Sequence, residues 1–198
     1  MGFDCVSRTH PGLKRKVNED SILVRTDRGL WAVADGMGGH EAGDVASAKV
    51  VGALALGPPH SAMESFVEDS ISALQTANSE LIRLAQTTQR PRTIGATIVG
   101  LVISRGRFGC FWAGDSRAYR IRDGEIAQPT RDHSLVQGLV DAGMLDPAEA
   151  EDHPNANVVT RAVGASEALE VDTSTGDAYA GDTFLLASDG LTRVVTDD

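Results

Sequence analysis

The pattern of apolar and polar residues along the chain predicts many short strands and a few helices. Short apolar or alternating runs bounded by turn residues are typical of strands. We predict strands over 21–25, 30–34, 95–103, 107–113, 117–121, 125–128 and 183–187, with weaker candidates over 4–9, 158–163 and 169–173. Asp123-Gly124 lies between two of these runs and is a strong hairpin signal.

Two longer segments are helical in character. Residues 43–56 are mostly small, so that helix can pack close to a sheet, and Gly57-Pro58-Pro59 ends it. Residues 61–86 carry an apolar stripe at helical spacing, which favours a helix with one buried face. The stripe consists of Met63, Phe66, Val67, Ile71, Leu74, Leu81 and Leu84. Residues 134–142 form a shorter helix candidate, and Asp146-Pro147-Ala148-Glu149 is typical of a helix start.

Acidic residues recur at the predicted ends of apolar strands. Asp35 follows Trp31–Ala34, and Asp189 follows Thr183–Ala187. If strands 21–25 and 30–34 form a hairpin, Asp20 and Asp35 lie at the same end of it, and Asp115 is a fourth carboxylate after a strand. The glycine-rich turn after Asp35 could also be an ordinary strand-to-helix connection with Asp35 as a helix cap.

This set of residues favours a site for hard metal ions. Oxygen ligands without cysteine or regularly spaced histidine suit Mg²⁺ or Mn²⁺ rather than zinc. Two such ions can share a carboxylate and activate a water for in-line attack on phosphorus. Arg15, just before Asp20, offers a planar cation for a phosphate group. The chain has no nucleophile motif such as GxSxG, so attack by a metal-activated water is the simplest mechanism.

Composition limits the setting and the partners. The 198 residues suit one domain, and the formal net charge of -10 argues against nucleic acid or an anionic membrane as the main partner. Cys5 and Cys110 form no CxxC pair, so we expect buried, reduced thiols. The N-terminus does not look like a signal peptide, and no apolar stretch is long enough to span a bilayer. We expect a cytoplasmic monomer.

Five motifs, in order along the chain, resemble the metal-dependent protein phosphatases of the PPM, or PP2C, family, and bacterial members in particular. They are Gly12-x-x-Arg15-x-x-Asn18-Glu19-Asp20, Val33-Ala34-Asp35-Gly36-Met37-Gly38-Gly39, Thr93-x-Gly95-x-Thr97, Ala113-Gly114-Asp115-Ser116-Arg117 and Ser188-Asp189-Gly190. Each motif alone is weak, but five in the family's order are specific.

The resemblance implies an α+β fold, in which a central sandwich of two antiparallel β-sheets is flanked by helices on both outer faces. It implies one domain over residues 1–198 that lacks the family's C-terminal strands, with a flap beside the site within 130–164. It also implies hydrolysis of phosphoserine and phosphothreonine in proteins, opposing a bacterial Ser/Thr kinase.

The resemblance also implies roles for individual residues. Asp35 would bridge two Mn²⁺ or Mg²⁺ ions, and Arg15 would bind the substrate phosphate. Asp20 and the Gly36 carbonyl would bind one ion, Asp189 the other, and Glu19 would act through water. Asp115 matches the family's ligand for a third, weaker ion.

Two features depart from the family pattern. Met37 stands where eukaryotic members often carry a histidine proposed as general acid. We leave that role to a metal-bound water; His40 is a weaker candidate, for which we favour a surface or capping role. The other histidines show no chemical pattern, and we expect them to be structural or exposed. The family's final Asp-Asn motif, whose Asp binds the same ion as the Asp189 equivalent, has no match before Asp198.

The missing carboxylate leaves an alternative to the phosphatase. The chain could be a catalytically impaired relative that binds phosphoproteins or acts as a regulatory module. A structural calcium-binding domain is disfavoured, because the sequence has no DxDxDG loop.

Overall fold

A computed structural model describes residues 2–13, 17–38, 42–57, 62–87 and 93–195 of the chain. The strands are β1 Asp20–Arg25, β2 Leu30–Met37, β3 Gly95–Ala96, β4 Ile98–Ser104, β5 Arg107–Ala113, β6 Arg117–Arg122, β7 Glu125–Ala127, β8 Asp172–Asp177 and β9 Thr183–Ala187. The helices are α1 Gly43–Ala55, α2 Met63–Thr87, α3 Leu135–Asp141 and α4 Asp189–Thr192, with one 3-10 turn at Pro147–Glu149. No helix within the described residues has the length and apolarity needed to cross a membrane.

The strands form two antiparallel sheets. The larger has the order β1-β2-β4-β5-β8, with β3 also paired to β2, and the smaller has the order β7-β6-β9. Helices α1 and α2 pack on one face of the larger sheet, and β6 and β9 pack on its other face. The α+β class and the two antiparallel sheets are confirmed. Among the described residues, α1 and α2 form the helical layer. Helices α3 and α4 have only seven and four residues and are too short to form a second one.

Alternation along the central strands divides the core in two. In β2, Leu30, Ala32 and Ala34 point toward α1 and α2, whereas Trp31 and Val33 point toward the smaller sheet. The predicted stripe of α2 is confirmed: five of its seven residues are buried, and Ile71 and Leu84 pack against them.

Two glycines in neighbouring strands allow tight packing on the face of the sheet that meets α1 and α2. The fully buried Phe111 ring occupies the space where Gly100 would carry a Cβ. A Cβ on Gly109 would lie 2.7 Å from the sulfur of Met63 and from a methyl carbon of Val67 in α2. The close approach of α2 to the sheet therefore requires small residues here.

Several weaker sequence predictions are wrong. Residues 4–9 form no strand, and Cys5 is exposed rather than buried, whereas Cys110 is buried as expected. The run 158–163 makes only two isolated bridges, at Val159 and Val163, because its backbone bonds are divided between residues 133–135 and Ala96 of β3. The strand predicted over 169–173 is β8, which begins later, at Asp172, and continues to Asp177.

Replacing Gly100 by alanine should lower the free energy of unfolding by about 1–3 kcal/mol, because the added methyl group overlaps the Phe111 ring in a closed core. Urea unfolding followed by circular dichroism measures this change. The matched control is Gly52→Ala in α1, where nothing lies within 4 Å of the added Cβ. That variant should be as stable as the original chain or more so. Equal stability of the two variants would contradict the packing argument.

Candidate metal centre

The β1–β2 hairpin brings two carboxylates face to face. Asp20 and Asp35 are direct cross-strand partners in the antiparallel ladder. Asp35 is two residues after Val33 in β2, on the face that meets the smaller sheet, and Asp20 is on the same face of β1. The predicted proximity is therefore confirmed, but β2 continues through Asp35 to Met37, and the N-cap of α1 is Ala42. The alternative in which Asp35 caps the helix is wrong.

Thr97 fixes the backbone on both sides of Asp35. The Thr97 N–H donates to the Asp35 carbonyl at 2.8 Å, and the Asp35 N–H donates to the Thr97 hydroxyl at 3.3 Å. The same hydroxyl lies 2.7 Å from the Ser116 hydroxyl, both residues being buried. Thr97 thus interrupts the strand predicted over 95–103 and links the backbone of Asp35 to the residue after Asp115.

The backbone at Gly36, next to Asp35, has no room for a side chain. A Cβ on Gly36 would overlap the carbonyl oxygens of Gly43 and Glu19, and the Gly36 N–H donates to the Glu19 carbonyl at 3.0 Å. A Cβ on Gly43 would in turn lie 2.5 Å from the Glu19 carboxylate. Gly36 is needed here for this close approach of three backbone segments.

The other two carboxylates arrive from β5 and β9. Asp115 follows Gly114, whose φ of 130° and contact with Thr97 exclude a side chain. Asp189 begins α4 directly after β9. The preceding residue, Ser188, donates its hydroxyl to the Asp20 carboxylate at 3.1 Å. This bond joins the end of the smaller sheet to the start of the larger one.

Burial and the neighbouring carboxylates disfavour the charged forms of Asp35 and Asp115. Burial, followed by the negative charges of Asp20 and Asp189 and a hydrogen bond to Asp189, raises the pKa of Asp35 to about 8. Burial and the charge of Asp189 raise the pKa of Asp115 to about 6. Raised values of this size in a cluster of acidic groups indicate an unmet need for positive charge.

The donor set fits hard divalent ions. Among the described residues, no group of three or more His, Cys, Asp or Glu side chains is placed so that it could hold a metal ion by itself. The carboxylates instead interact in pairs: Asp35 with Asp20, and Asp189 with both Asp35 and Asp115. Mg²⁺ suits such an arrangement, because it keeps several waters and takes only one or two carboxylates from a protein.

His133 supports the backbone at Asp115. Its Nδ1 accepts the Gly114 N–H at 3.2 Å, and its Nε2 lies 3.2 Å from the Asp172 carboxylate, which Arg161 also contacts at 2.9 Å. The ring is buried and stacks on Trp112. Because Nδ1 accepts a hydrogen bond, the N–H of the neutral imidazole is on Nε2 and points to Asp172. The structural role expected for this histidine is supported.

A cavity of about 360 Å³ lies beside Asp115 and Asp189. Its lining also includes Gln137, Ala150, Glu151, Asp152, Ala156 and Asn157. These residues belong to the predicted flap segment, whose two ends are joined by hydrogen bonds from Leu135 to Val158 and from Thr160 to His133. A more open cavity of about 460 Å³ between α2 and residues 164–167 has a single charged group, Glu167, among its described lining residues.

Two predicted site residues lie outside the described residues: Arg15 and, as a weaker candidate, His40. Of the others, the structure brings together Asp20, Asp35, Asp115 and Asp189, with Glu19 and Gly36 at the adjoining turn. Sequence reasoning missed the contacts of Thr97, Ser116, Ser188 and Arg193. Only Arg193 had a readable signal, since it follows Asp189 by four residues and so faces it on a helical turn.

Comparison with known proteins shows the family of the chain. A family model described as protein phosphatase 2C matches residues 13–198. The chain belongs to the protein phosphatase 2C family. It is similar to the serine/threonine protein phosphatase PstP of Mycobacterium tuberculosis, with 38% identity over 192 residues, which is 97% of this chain but 37% of PstP. The chain thus spans little more than a third of that relative.

Two solved structures of the family have closely similar folds. PppA, a key regulatory component of T6SS in Pseudomonas aeruginosa, has 42% identity and a TM-score of 0.85, with 95% of this chain and 77% of that one covered. The catalytic domain of PstP in complex with two manganese ions has 36% identity and a TM-score of 0.83, with coverages of 96% and 79%. Metal binding is therefore seen directly in a close structural relative.

The raised pKa of Asp35 predicts how stability depends on pH in EDTA. In the unfolded chain Asp35 ionises near its ordinary pKa of 3.8, whereas in the folded protein it holds its proton up to about pH 8. The free energy of unfolding should therefore fall as the pH rises from about 4 through about 8. Urea unfolding across this pH range measures the slope.

The control for this prediction is Asp35→Asn, which cannot ionise and should flatten the slope. Saturating Mn²⁺ should also restore stability at the upper end of the range, because it binds the ionised form. An unchanged slope in Asp35→Asn would show that other groups cause it.

Proposed function

We propose that the chain hydrolyses phosphoserine and phosphothreonine in proteins with the help of bound Mn²⁺ or Mg²⁺ ions. The observation that carries this proposal is the convergence of Asp20, Asp35, Asp115 and Asp189, with the pKa of Asp35 raised to about 8. Family membership and the manganese complex of the PstP catalytic domain support it. When bound, the ions would supply an activated water as nucleophile and stabilise charge on the phosphoryl oxygens.

The proposed roles follow the geometry of the turn and the sheet ends. Asp35, central among the acidic residues, would be shared by both ions. Asp20 and the Gly36 carbonyl would hold one ion, and Asp189 would hold the other. Glu19, packed against Gly43, would bind through water.

The acidic centre alone would repel a phosphate dianion, so substrate binding needs a cation. Arg15 has this role in our proposal. A third, weaker ion at Asp115 would have to compete for that carboxylate with Arg193, 3.6 Å away. Met37 offers no proton to the leaving group, and we assign that proton to water.

The flap segment within 130–164 would contact the protein around the phosphorylated residue. It is held at its base by Arg117, which forks onto Asp132 with bonds of 2.9 and 2.7 Å, and by Thr130, whose hydroxyl accepts the Ala118 N–H. The cavity of about 360 Å³ separates it from Asp115 and Asp189. A substrate segment lying there would reach both the centre and the flap.

The proposal extends to the cellular setting. A phosphatase of this kind would oppose a Ser/Thr kinase, and its substrates would be that kinase's phosphoproteins. Cys5 and Cys110 are both free, which is consistent with a reducing, cytoplasmic setting.

The second candidate is a phosphoprotein-binding module with impaired turnover. One observation favours it: Arg193 already pairs with Asp189, a carboxylate that one of the proposed ions would need as a ligand. Binding of a phosphothreonine peptide without its hydrolysis would support this candidate.

The purified chain should hydrolyse p-nitrophenyl phosphate and a phosphothreonine peptide when Mn²⁺ is added, and EDTA should abolish this. Asp35→Ala should lose at least about 100-fold in kcat, because both ions would lose their shared ligand. Release of phosphate measures both reactions.

The matched control is Asp27→Ala, which removes an exposed carboxylate paired with Arg25 at the end of the β1–β2 hairpin away from Asp20 and Asp35. It should retain activity. Activity that survives Asp35→Ala or EDTA would contradict the proposed mechanism. A folded chain that binds the peptide in Mn²⁺ but releases no phosphate would instead support the binding module.

A further inference from the structure

The guanidinium of Arg193 lies within ion-pair distance of two carboxylates of the acidic centre. Its Nη2 lies 3.1 Å from Oδ2 of Asp189 and 3.6 Å from Oδ2 of Asp115. The Asp115 side chain is only 10% exposed, whereas 40% of the Arg193 side chain is exposed. One guanidinium thus joins the two carboxylates that border the cavity.

The fold fixes this position through the same turn that places Asp189. Helix α4 is a single turn, and Arg193 is its C-cap, with its N–H donating to the Asp189 carbonyl at 3.1 Å. The spacing of four residues places the two side chains on the same side of the turn. The helical turn that places Asp189 at the centre therefore places the guanidinium of Arg193 there too.

The other cation near Asp115 is already engaged. Arg117 lines the same cavity, but its guanidinium is held by Asp132 at 2.7 to 3.1 Å. Asp132 itself adds negative charge near Asp115. Within the described residues, Arg193 is the one arginine, lysine or histidine in an ion pair with Asp115 or Asp189.

We propose that Arg193 is a resident cation of the metal centre, filling at the Asp115–Asp189 pair the place that a further metal ion would otherwise take. This inference rests on the metal centre of the proposed function. Two ions would bind around Asp20, Asp35 and Asp189, and an ion at Asp115 would have to compete with the guanidinium. Since arginine stays charged at every relevant pH, this part of the centre would be neutralised whatever the concentration of free metal.

The inference predicts a gain of metal binding when the charge is removed. Mn²⁺ binding to the full chain, measured by the electron paramagnetic resonance of free Mn²⁺, should show two ions in the original protein. Arg193→Met should bind one more ion, or bind its weakest ion at least about ten-fold more tightly, because a neighbouring positive charge no longer repels it. Adding Asp115→Asn to Arg193→Met should abolish the gain.

Two controls separate charge from other effects. Arg193→Lys keeps the positive charge and should resemble the original protein. Arg131→Met removes a positive charge from an exposed ion pair with Asp141, in the flap segment, and should not change Mn²⁺ binding. Arg193→Gln is a second neutral variant, used if circular dichroism shows that Arg193→Met does not fold.

The contrary results are equally clear. Unchanged or weaker Mn²⁺ binding in the neutral variants would overturn the role of Arg193, and so would a gain of the same size in Arg193→Lys. Failure of the original protein to bind Mn²⁺ at all would contradict the metal centre itself, and this inference with it. Binding of two ions by the original protein without the gain would overturn only the inference.

Discussion

The repulsion between acidic side chains that the backbone forces together governs this end of the molecule. Asp20 and Asp35 are opposed in an antiparallel ladder, an arrangement that is unfavourable for two like charges. Asp189 and Asp115 add to it from other strands. The protein offsets this cost by holding a proton, by pairing Asp189 with Arg193 and, in our proposal, by binding divalent ions.

The rest of the fold maintains this arrangement. Small residues at Gly36, Gly43 and Gly114 allow three backbone segments to meet around the carboxylates. The hydroxyls of Thr97 and Ser188 hold neighbouring segments in register without adding charge. Among the described residues, Arg117 and Arg193 lie at the border of the centre, and each has a carboxylate partner.

The sequence predicted the elements with strong periodicity and the acidic positions, but not how loops are held. The α2 stripe and the β1–β2 hairpin depend on local patterns, so they could be read directly. Residues 158–163 resemble a strand in composition, yet their backbone bonds go to His133, Leu135 and Ala96, which lie far away in the chain. The exposure of Cys5 also depends on tertiary packing that no local pattern shows. The raised pKa values of Asp35 and Asp115 likewise depend on burial and on distances between carboxylates in three dimensions, which no local pattern shows.

The bond between Ser188 and Asp20 joins residues 168 positions apart in sequence. The hairpin that supplies Asp20 and Asp35 needs only a local turn, whereas Asp189 reaches the centre only after the smaller sheet has docked on the larger one. Closing so long a loop is entropically costly and slow compared with forming a hairpin. Complete coordination would therefore be among the last events in folding, and a divalent ion would act as a reporter of whether the two sheets have come together.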